Sequence, residues 1–206
     1  MKDWRLIYII FAKSEDKLYI SNKNRQAYFV LLSVCIIFVR INLKNCNVMF
    51  DKETYVQRRA LLKKNIGSGV LLFLGNDEQG LNYEDNAFRY RQDSTFLYYF
   101  GLSFAGLSAI IDIDEDKEII FGDELTIDHI VWMGTQPTLK EKSERVGIRE
   151  TLPSVAIISY LHKAVQKGQT VHYLPPYRPE HKLKLMDWLG IPPARQVGSV
   201  PFIRAV

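Results

Sequence analysis

A continuous apolar run at residues 70–74, V-L-L-F-L, constrains the fold more than any other segment of the chain. A strand with one face in water alternates apolar and polar residues, whereas a strand covered on both faces is apolar throughout. The run follows a segment with helical spacing that ends at Gly67 and Gly69. It therefore predicts a buried strand, preceded by a helix that begins at Asp51.

Further strands and helices are predicted to alternate along residues 49–206. They are a hairpin at 107–113 and 118–121, a strand at 127–133, helices at 138–146 and 154–167, a strand at 170–174 and a helix at 180–189. This alternation predicts an α/β domain with a mixed β-sheet flanked by helices. The hairpin turn at 114–117 lacks the ligand pattern, glycine and closing glutamate of a calcium loop, so we interpret it as a solvated turn.

The first 48 residues differ in charge and cysteine content from the remainder. They carry a net charge of +5, so the remainder of this +4 chain is close to neutral at −1. Nucleic-acid surfaces need clustered basic residues on the binding domain, and we therefore expect no nucleic-acid partner. Cys35 and Cys46 both lie in the first 48 residues, so residues 49–206 hold neither a disulfide nor a cysteine metal site. A cytoplasmic location is expected.

An apolar run at residues 28–39 leaves three interpretations of the N-terminal 48 residues open. The run is shorter than the roughly 20 residues of a bilayer-spanning helix, and membrane attachment is therefore not expected. The segment is upstream sequence read in frame before a start at Met49, a signal or anchor, or an additional structural element.

Residues 90–101 read Y-R-Q-D-S-T-F-L-Y-Y-F-G and combine a polar block with an aromatic cluster. The block at 91–94 supplies a guanidinium, an amide, a carboxylate and a hydroxyl, which can bind a polar ligand or brace a loop over the sheet edge. The aromatic side chains of Phe96, Tyr98 and Phe100 have the spacing of one strand face, so a strand is predicted here.

Self-sufficient catalytic motifs were not found in the sequence. The chain contains four histidines, and no two of them have the spacing of a metal-binding pair; they are His129, His162, His172 and His181. No serine lies in a nucleophile elbow, and the Gly67–Gly69 segment precedes a strand rather than opening a helix. We therefore assign no catalytic residue and no metal ligand.

Three segments together resemble the N-terminal domain of Xaa-Pro aminopeptidases (aminopeptidase P), within the creatinase and prolidase-like N-terminal domain superfamily. They are the helix at 50–59 with its following strand, Asp85 with the string at 91–101, and I-V-W-M-G at 130–134. The resemblance covers residues 49–206 and none of residues 1–48. It implies a ribonuclease H-like α/β fold, and it leaves prolidase-like or creatinase-like relatives as alternatives.

The resemblance also implies a second domain of the pita-bread fold, which we expect to be absent from this chain. In the family that domain holds two metal ions, usually manganese, whose bridging hydroxide attacks the peptide bond before a penultimate proline. The N-terminal domain shapes the mouth of the active site and supports homo-oligomer contacts. This chain is accordingly expected to be inactive alone, with proline-containing peptides bound by the complete enzyme; the alternative is a stand-alone peptide- or protein-binding module.

Three residues are carried over from the resemblance as candidates for the substrate entrance. Trp132 would offer a flat apolar wall to a proline-containing peptide, with a core position as the alternative. Asp85 would meet a substrate amine or an arginine of a partner subunit, with loop capping as the alternative. Arg91 would brace the loop that holds Asp85.

Overall fold

The computed structural model describes residues 50–83, 86–124, 131, 134 and 136–206, all within the compact unit Asn47–Val206. At its centre lies a five-stranded sheet with the order β4-β3-β2-β1-β5. The strands are β1 Val70–Leu74, β2 Ser108–Asp112, β3 Lys117–Phe121, β4 Glu150–Leu152 and β5 Val171–Tyr173. The described helices are α1 Lys52–Ile66, α2 Ser94–Phe100, α3 Leu139–Glu144, α4 Ala156–Gln166, α5 Pro179–Leu189 and α6 Val200–Ala205. Of the strand predicted at 127–133, the structure describes only Val131, which is helical.

The sheet is mixed, which confirms the predicted α/β class. β1 pairs with β2 antiparallel and with β5 parallel, while β3 pairs with β2 antiparallel and with β4 parallel. Four strands therefore run in one direction and β2 alone runs against them. The carboxyl ends of β1, β3, β4 and β5 consequently meet at one side of the sheet, which we call the carboxyl edge.

Two apolar layers cover the faces of the sheet. Leu71 and Phe73 of β1 point into a cluster with residues of α1, α2 and α6, whereas Val70 and Leu72 point into a cluster with residues of α4 and α5. All four side chains are at most 3% exposed. The uninterrupted apolar run therefore reflects a strand buried on both faces, as predicted.

The strand predicted from the aromatic residues after position 94 is wrong, because Ser94–Phe100 forms helix α2. Asp93 caps the helix, its Oδ1 accepting a hydrogen bond from the backbone N–H of Phe96 at 2.9 Å. The buried aromatic residues are Phe96, Tyr99 and Phe100, at helical i, i+3 and i+4 spacing. Tyr98, which the strand pattern placed inside, is 50% exposed.

Helix α1 begins where predicted, but its first turn is stabilised differently. Asp51 occupies the N-cap position without a capping hydrogen bond from its side chain. The rings of Phe50 and Tyr55 are in edge contact with centroids 6.1 Å apart, which is the contact of a hydrophobic staple. None of the described helices is long and apolar enough to cross a membrane.

The turn between β2 and β3 lies at the opposite side of the sheet, and its carboxylates are engaged with neighbouring elements. Asp114 accepts a hydrogen bond from the backbone N–H of Gly69 at 3.0 Å. Glu115 pairs with Lys117 at 2.6 Å and also with Lys167, and these hydrogen bonds lower the pKa of its carboxyl to about 2. Besides facing solvent, the turn therefore ties the hairpin to α1, through Asp116 and Lys63, and to the end of α4, through Glu115 and Lys167.

Candidate functional site at the carboxyl edge

The carboxyl edge of the sheet carries three adjacent cavities of about 120, 330 and 320 Å³. Ligand crevices in open α/β sheets lie outside the carboxyl ends of the strands, because the connections there are free to vary while the sheet stays rigid. The connections that follow β1, β3, β4 and β5 all contribute residues to the cavity walls. This edge is therefore the candidate functional site.

Gln92 holds the base of the edge together and is only 1% exposed. Its Oε1 accepts hydrogen bonds from the backbone N–H groups of Asn76 and Asp93, at 2.7 and 2.9 Å. Its Nε2 donates to the carbonyl oxygen of Phe104 at 2.8 Å. The amide thus joins three separate backbone segments. The block at 91–94 was expected either to bind a polar ligand or to brace a loop, and Gln92 braces the loop.

Asn76 and Tyr90 extend this network on either side of Gln92. The side-chain amide of Asn76 donates to the carbonyl oxygen of Arg91 at 2.8 Å, and the hydroxyl of Tyr90 donates to the carbonyl oxygen of Phe104 at 2.7 Å. Burial raises the pKa of the Tyr90 hydroxyl well above its usual range, so the group remains a donor at neutral pH. The first residues of the β1–α2 connection are therefore held rigidly against the segment that precedes β2.

Asp93 and His181 line the cavity of about 120 Å³, which we call the first cavity. Besides capping α2, Asp93 accepts a hydrogen bond on Oδ2 from the hydroxyl of Tyr177 at 3.1 Å. His181 is 4% exposed, and its Nε2 lies 3.1 Å from the carbonyl oxygen of Gly75. Burial lowers the pKa of the imidazole below its usual value.

Tyr177 and His181 were not predicted as site residues. The signal available in the sequence was the rigid proline-rich loop directly after the last predicted strand, which places residues 175–178 at the carboxyl edge. Nothing in the local pattern shows that Tyr177 reaches Asp93, since the two residues are 84 positions apart.

Of the three predicted entrance residues, the structure describes only Arg91. Its side chain is exposed, and its guanidinium lies 3.5 Å from the hydroxyl of Ser94, at the limit of a hydrogen bond. Asp85 and Trp132 lie outside the described residues, so their entrance roles stay predictions. Asp85 belongs to the β1–α2 connection and Trp132 to the β3–α3 connection, and both connections leave the sheet at the carboxyl edge.

The two larger cavities are lined by charged groups that have internal partners. In the cavity of about 330 Å³, Lys184 pairs with Asp77 at 2.8 Å, and Asp123 accepts from the Ser154 backbone N–H at 3.0 Å. In the cavity of about 320 Å³, the ammonium of Lys142 lies 4.0 Å from the ring centroid of Phe104. Among the described residues, no three His, Cys, Asp or Glu side chains come together as a metal site.

Comparison with known protein families gives a match over most of the sheet domain. Residues 55–173 match the family described as "Aminopeptidase P, N-terminal domain". The matched region begins within α1 and ends at the last residue of β5, so it contains all five strands. Tyr177 and His181 lie outside it.

Curated relatives show moderate similarity over part of the chain. A probable Xaa-Pro aminopeptidase of Chaetomium globosum is 30% identical over 112 residues, which are 52% of this chain and 18% of the relative. A human Xaa-Pro dipeptidase is 33% identical over 90 residues, which are 42% of this chain and 18% of the relative. The aligned part of the chain therefore spans less than a fifth of the length of these relatives.

Solved structures show the same fold at low sequence identity. The aminopeptidase PepP of Pseudomonas aeruginosa superposes with a TM-score of 0.60 and 21% identity, covering 74% of this chain and 35% of that one. An aminopeptidase P of Escherichia coli gives a TM-score of 0.58 and 18% identity, covering 68% of this chain and 33% of that one. The similarity extends over about a third of each solved chain.

Proposed function

Because the chain belongs to the family of aminopeptidase P N-terminal domains, we propose that residues 49–206 are the non-catalytic N-terminal domain of a manganese-dependent Xaa-Pro aminopeptidase. Such an enzyme removes the N-terminal residue from peptides whose second residue is proline. The observation that carries the proposal is the braced carboxyl edge: the connections that contain Asp85 and Trp132 leave the sheet there, and Gln92 joins the loops of this edge by hydrogen bonds. In this proposal the edge forms one wall of the peptide entrance.

In this proposal, each of the three entrance residues has a separate role in positioning the peptide. The indole of Trp132 provides a flat apolar surface for the proline ring. The carboxylate of Asp85 accepts hydrogen bonds from the substrate amine or pairs with an arginine of a neighbouring subunit. Arg91, which precedes the Asp93 cap of α2, supports the loop that carries Asp85.

The two manganese ions belong, in this proposal, to a catalytic domain distinct from residues 49–206. When bound they polarise the scissile carbonyl and supply a hydroxide nucleophile. The described residues offer no set of three ligands for such an ion. We therefore assign these residues to binding and orienting the peptide, in a cytoplasmic enzyme whose N-terminal domains also contact one another in a homo-oligomer.

An activity assay tests the non-catalytic assignment. The purified 206-residue chain is mixed with Mn²⁺ and a peptide of the form Xaa-Pro-Xaa. Mass spectrometry should detect no release of the N-terminal residue over hours, and release above a metal-free control would overturn the proposal. In the peptidase that contains this domain, Trp132→Ala should raise KM for the peptide with little change in kcat, because the indole contacts substrate away from the reacting bond. A fall in kcat alone would contradict the entrance role.

A stand-alone peptide- or protein-binding module is the second candidate function. The observation that favours it is that three cavities lie side by side on the carboxyl edge of this one domain. This function predicts that the chain alone binds a proline-containing peptide in calorimetry, whereas an entrance wall that needs a second domain gives no measurable heat. Because an Xaa-Pro dipeptidase is among the relatives, activity of the complete enzyme on dipeptides and on tripeptides distinguishes the two peptidase classes.

A further inference from the structure

The first cavity has the composition of a small binding site rather than of a packing defect. It lies at the carboxyl ends of β1 and β5, and its apolar lining residues are Leu72, Phe73 and Leu74 of β1 with Leu174, Pro175 and Pro176 after β5. The lining residues with polar side chains are Asp93, Thr95, Tyr173, Tyr177 and His181. Sites for small ligands have this pattern of an apolar interior with a few convergent polar groups.

His181 presents an unused hydrogen-bond acceptor to this cavity. Because Nε2 lies 3.1 Å from the carbonyl oxygen of Gly75, the neutral imidazole carries its proton on Nε2 and a lone pair on Nδ1. Nδ1 has no hydrogen-bond partner among the described residues. The residue as a whole is only 4% exposed. Because His181 lines the first cavity, Nδ1 is the acceptor that this residue offers to a ligand bound there.

Asp93 adds acceptor capacity and a negative charge to the same wall. A carboxylate has about four lone-pair sites, and here two of them are used, by the Phe96 backbone N–H and the Tyr177 hydroxyl. Since the Tyr177 hydroxyl donates its hydrogen to Asp93, it too offers only a lone pair to the cavity. No lysine or arginine is among the eleven lining residues, and the adjacent Arg178 is paired with Glu180 at 3.3 Å.

We propose that the first cavity binds a small protonated amine, with the ammonium group donating to the carboxylate of Asp93 and to Nδ1 of His181. The acceptor groups and the negative charge disfavour an anion, because a carboxylate or phosphate would meet lone pairs and a like charge. The aliphatic part of the ligand would pack against Leu72 and Pro175. A volume of about 120 Å³ limits the ligand to a few carbon atoms, such as a five-membered ring or the first residue of a peptide.

Nuclear magnetic resonance of the imidazole nitrogens in the 206-residue chain tests this site. The probe is pyrrolidinium chloride, compared with cyclopentanol and cyclopentanecarboxylate at matched size and ionic strength, with the His181 signal assigned by its loss in His181→Gln. A saturable shift of Nδ1 with pyrrolidinium alone is expected. An absent shift, or equal shifts with cyclopentanol, would overturn the proposal and leave an apolar cavity filled by water.

Two variants remove the acceptors while keeping the structural hydrogen bonds. Asp93→Asn retains a good helix cap and loses the charge, and His181→Gln retains an N–H for the Gly75 carbonyl and loses Nδ1. Each should weaken pyrrolidinium binding by about tenfold or more, the value of a charge-assisted hydrogen bond. For Asp93→Asn the shift of Nδ1 is followed, and for His181→Gln the backbone amide shifts of residues around the cavity. Unchanged affinity in both would exclude the site.

Further variants keep the test decisive if either of these fails to fold. The exposed Tyr177→Phe frees a lone pair of Asp93 and should bind the probe at least as tightly, whereas tenfold weaker binding would contradict the proposed geometry. His162→Gln, on the exposed side of α4, is the matched control and should bind as the unaltered chain does. Tripeptides with a free or an acetylated amino terminus distinguish the source of the amine: binding of the free form alone identifies a peptide end, and binding of pyrrolidinium alone identifies a free small amine.

Discussion

The ring of Tyr55 lies directly against Gly101, so that a Cβ atom at Gly101 would come within 2.3 Å of the tyrosine Cζ. Gly101 ends helix α2 in the left-handed conformation with φ of 65°, while Tyr55 projects fully buried from α1. The glycine is therefore required twice, once for its backbone conformation and once for the space that Tyr55 occupies.

Gly101→Ala should lower the free energy of unfolding much more than Gly190→Ala. Gly190 ends helix α5 at nearly the same φ of 66°, but a Cβ there meets no atom within 4 Å. The control should lose about 1–2 kcal/mol for the left-handed backbone alone, and Gly101→Ala an additional 1–3 kcal/mol, approximately, for overpacking. Urea denaturation followed by circular dichroism measures both; equal losses would show that Tyr55 moves aside freely.

The fully buried Arg59 predicts a second large effect on stability. Its Nε donates to Glu118 at 2.7 Å, and its two other nitrogens donate to the carbonyl oxygens of Tyr99 and Val146 at 2.9 and 3.0 Å. Arg59→Met removes all three hydrogen bonds and leaves two buried carbonyls without a donor. A loss of about 3–5 kcal/mol in the free energy of unfolding is expected.

The neighbouring Arg58 provides the control for this substitution. It donates to the carbonyl oxygen of Tyr98 at 2.8 Å and lies over the rings of Phe50 and Tyr98, all at the surface. Arg58→Met should cost about 1 kcal/mol or less, since exposed contacts of this kind contribute little. Losses of similar size in the two variants would contradict the proposed importance of burial.

Within the polar block at 91–94, substitution of Gln92 should destabilise the domain, whereas substitution of Arg91 should not. Gln92→Leu leaves the backbone N–H groups of Asn76 and Asp93 without their acceptor and removes one of the two donors to the Phe104 carbonyl oxygen, so it should lower the free energy of unfolding by about 3 kcal/mol or more. Arg91→Ala should change it by less than about 0.5 kcal/mol, because the side chain is exposed. Thermal or urea denaturation that ranked the two in the opposite order would refute the bracing role of Gln92.

The buried His181 should make the domain less stable in mild acid. Its pKa is lowered in the folded state by burial, with Lys184 acting in the same direction and Asp93 and Asp77 opposing it. Below the ordinary value of 6.5 the unfolded chain therefore binds a proton that the folded chain does not, so stability falls as the pH drops from 6.5 towards the lowered pKa. Urea midpoints at pH 8 and pH 5.5 measure the fall, and His181→Gln should reduce it; an equal fall in the variant would assign it to other groups.

The class of fold followed from local patterns because alternating strands and helices are local features. The continuous apolar run of β1 correctly indicated a strand covered on both faces. The error at residues 94–100 arose because Phe96 and Phe100 are four positions apart, which places them on one face of either a strand or a helix. The two structures differ at Tyr98, which a strand would bury with them and which the helix leaves exposed. Asp93 and Gly101 were the cap signals that favoured the helix.

The positions of the site residues depended on contacts that no local pattern contains. Arg59 lies in the middle of α1, and the groups that its side chain bonds are 40, 59 and 87 positions away. Likewise, Tyr177 is 84 positions from Asp93, and His181 is 106 positions from Gly75. The resemblance to the aminopeptidase P N-terminal domain, carried by the strings around Asp85, Arg91 and Trp132, is confirmed by the family match.

The parallel pairing of β1 with β5 has a consequence for folding during synthesis. Val70 pairs with Val171, so one edge of the most apolar strand stays unpaired until about a hundred further residues have been added. At about 5–20 residues per second, this interval lasts roughly 5–20 s. An open apolar strand edge is a template for pairing with other chains. The nascent domain is therefore most vulnerable to aggregation just before β5 leaves the ribosome, and substitutions that delay β5 should reduce soluble yield more than they reduce the stability of the folded protein.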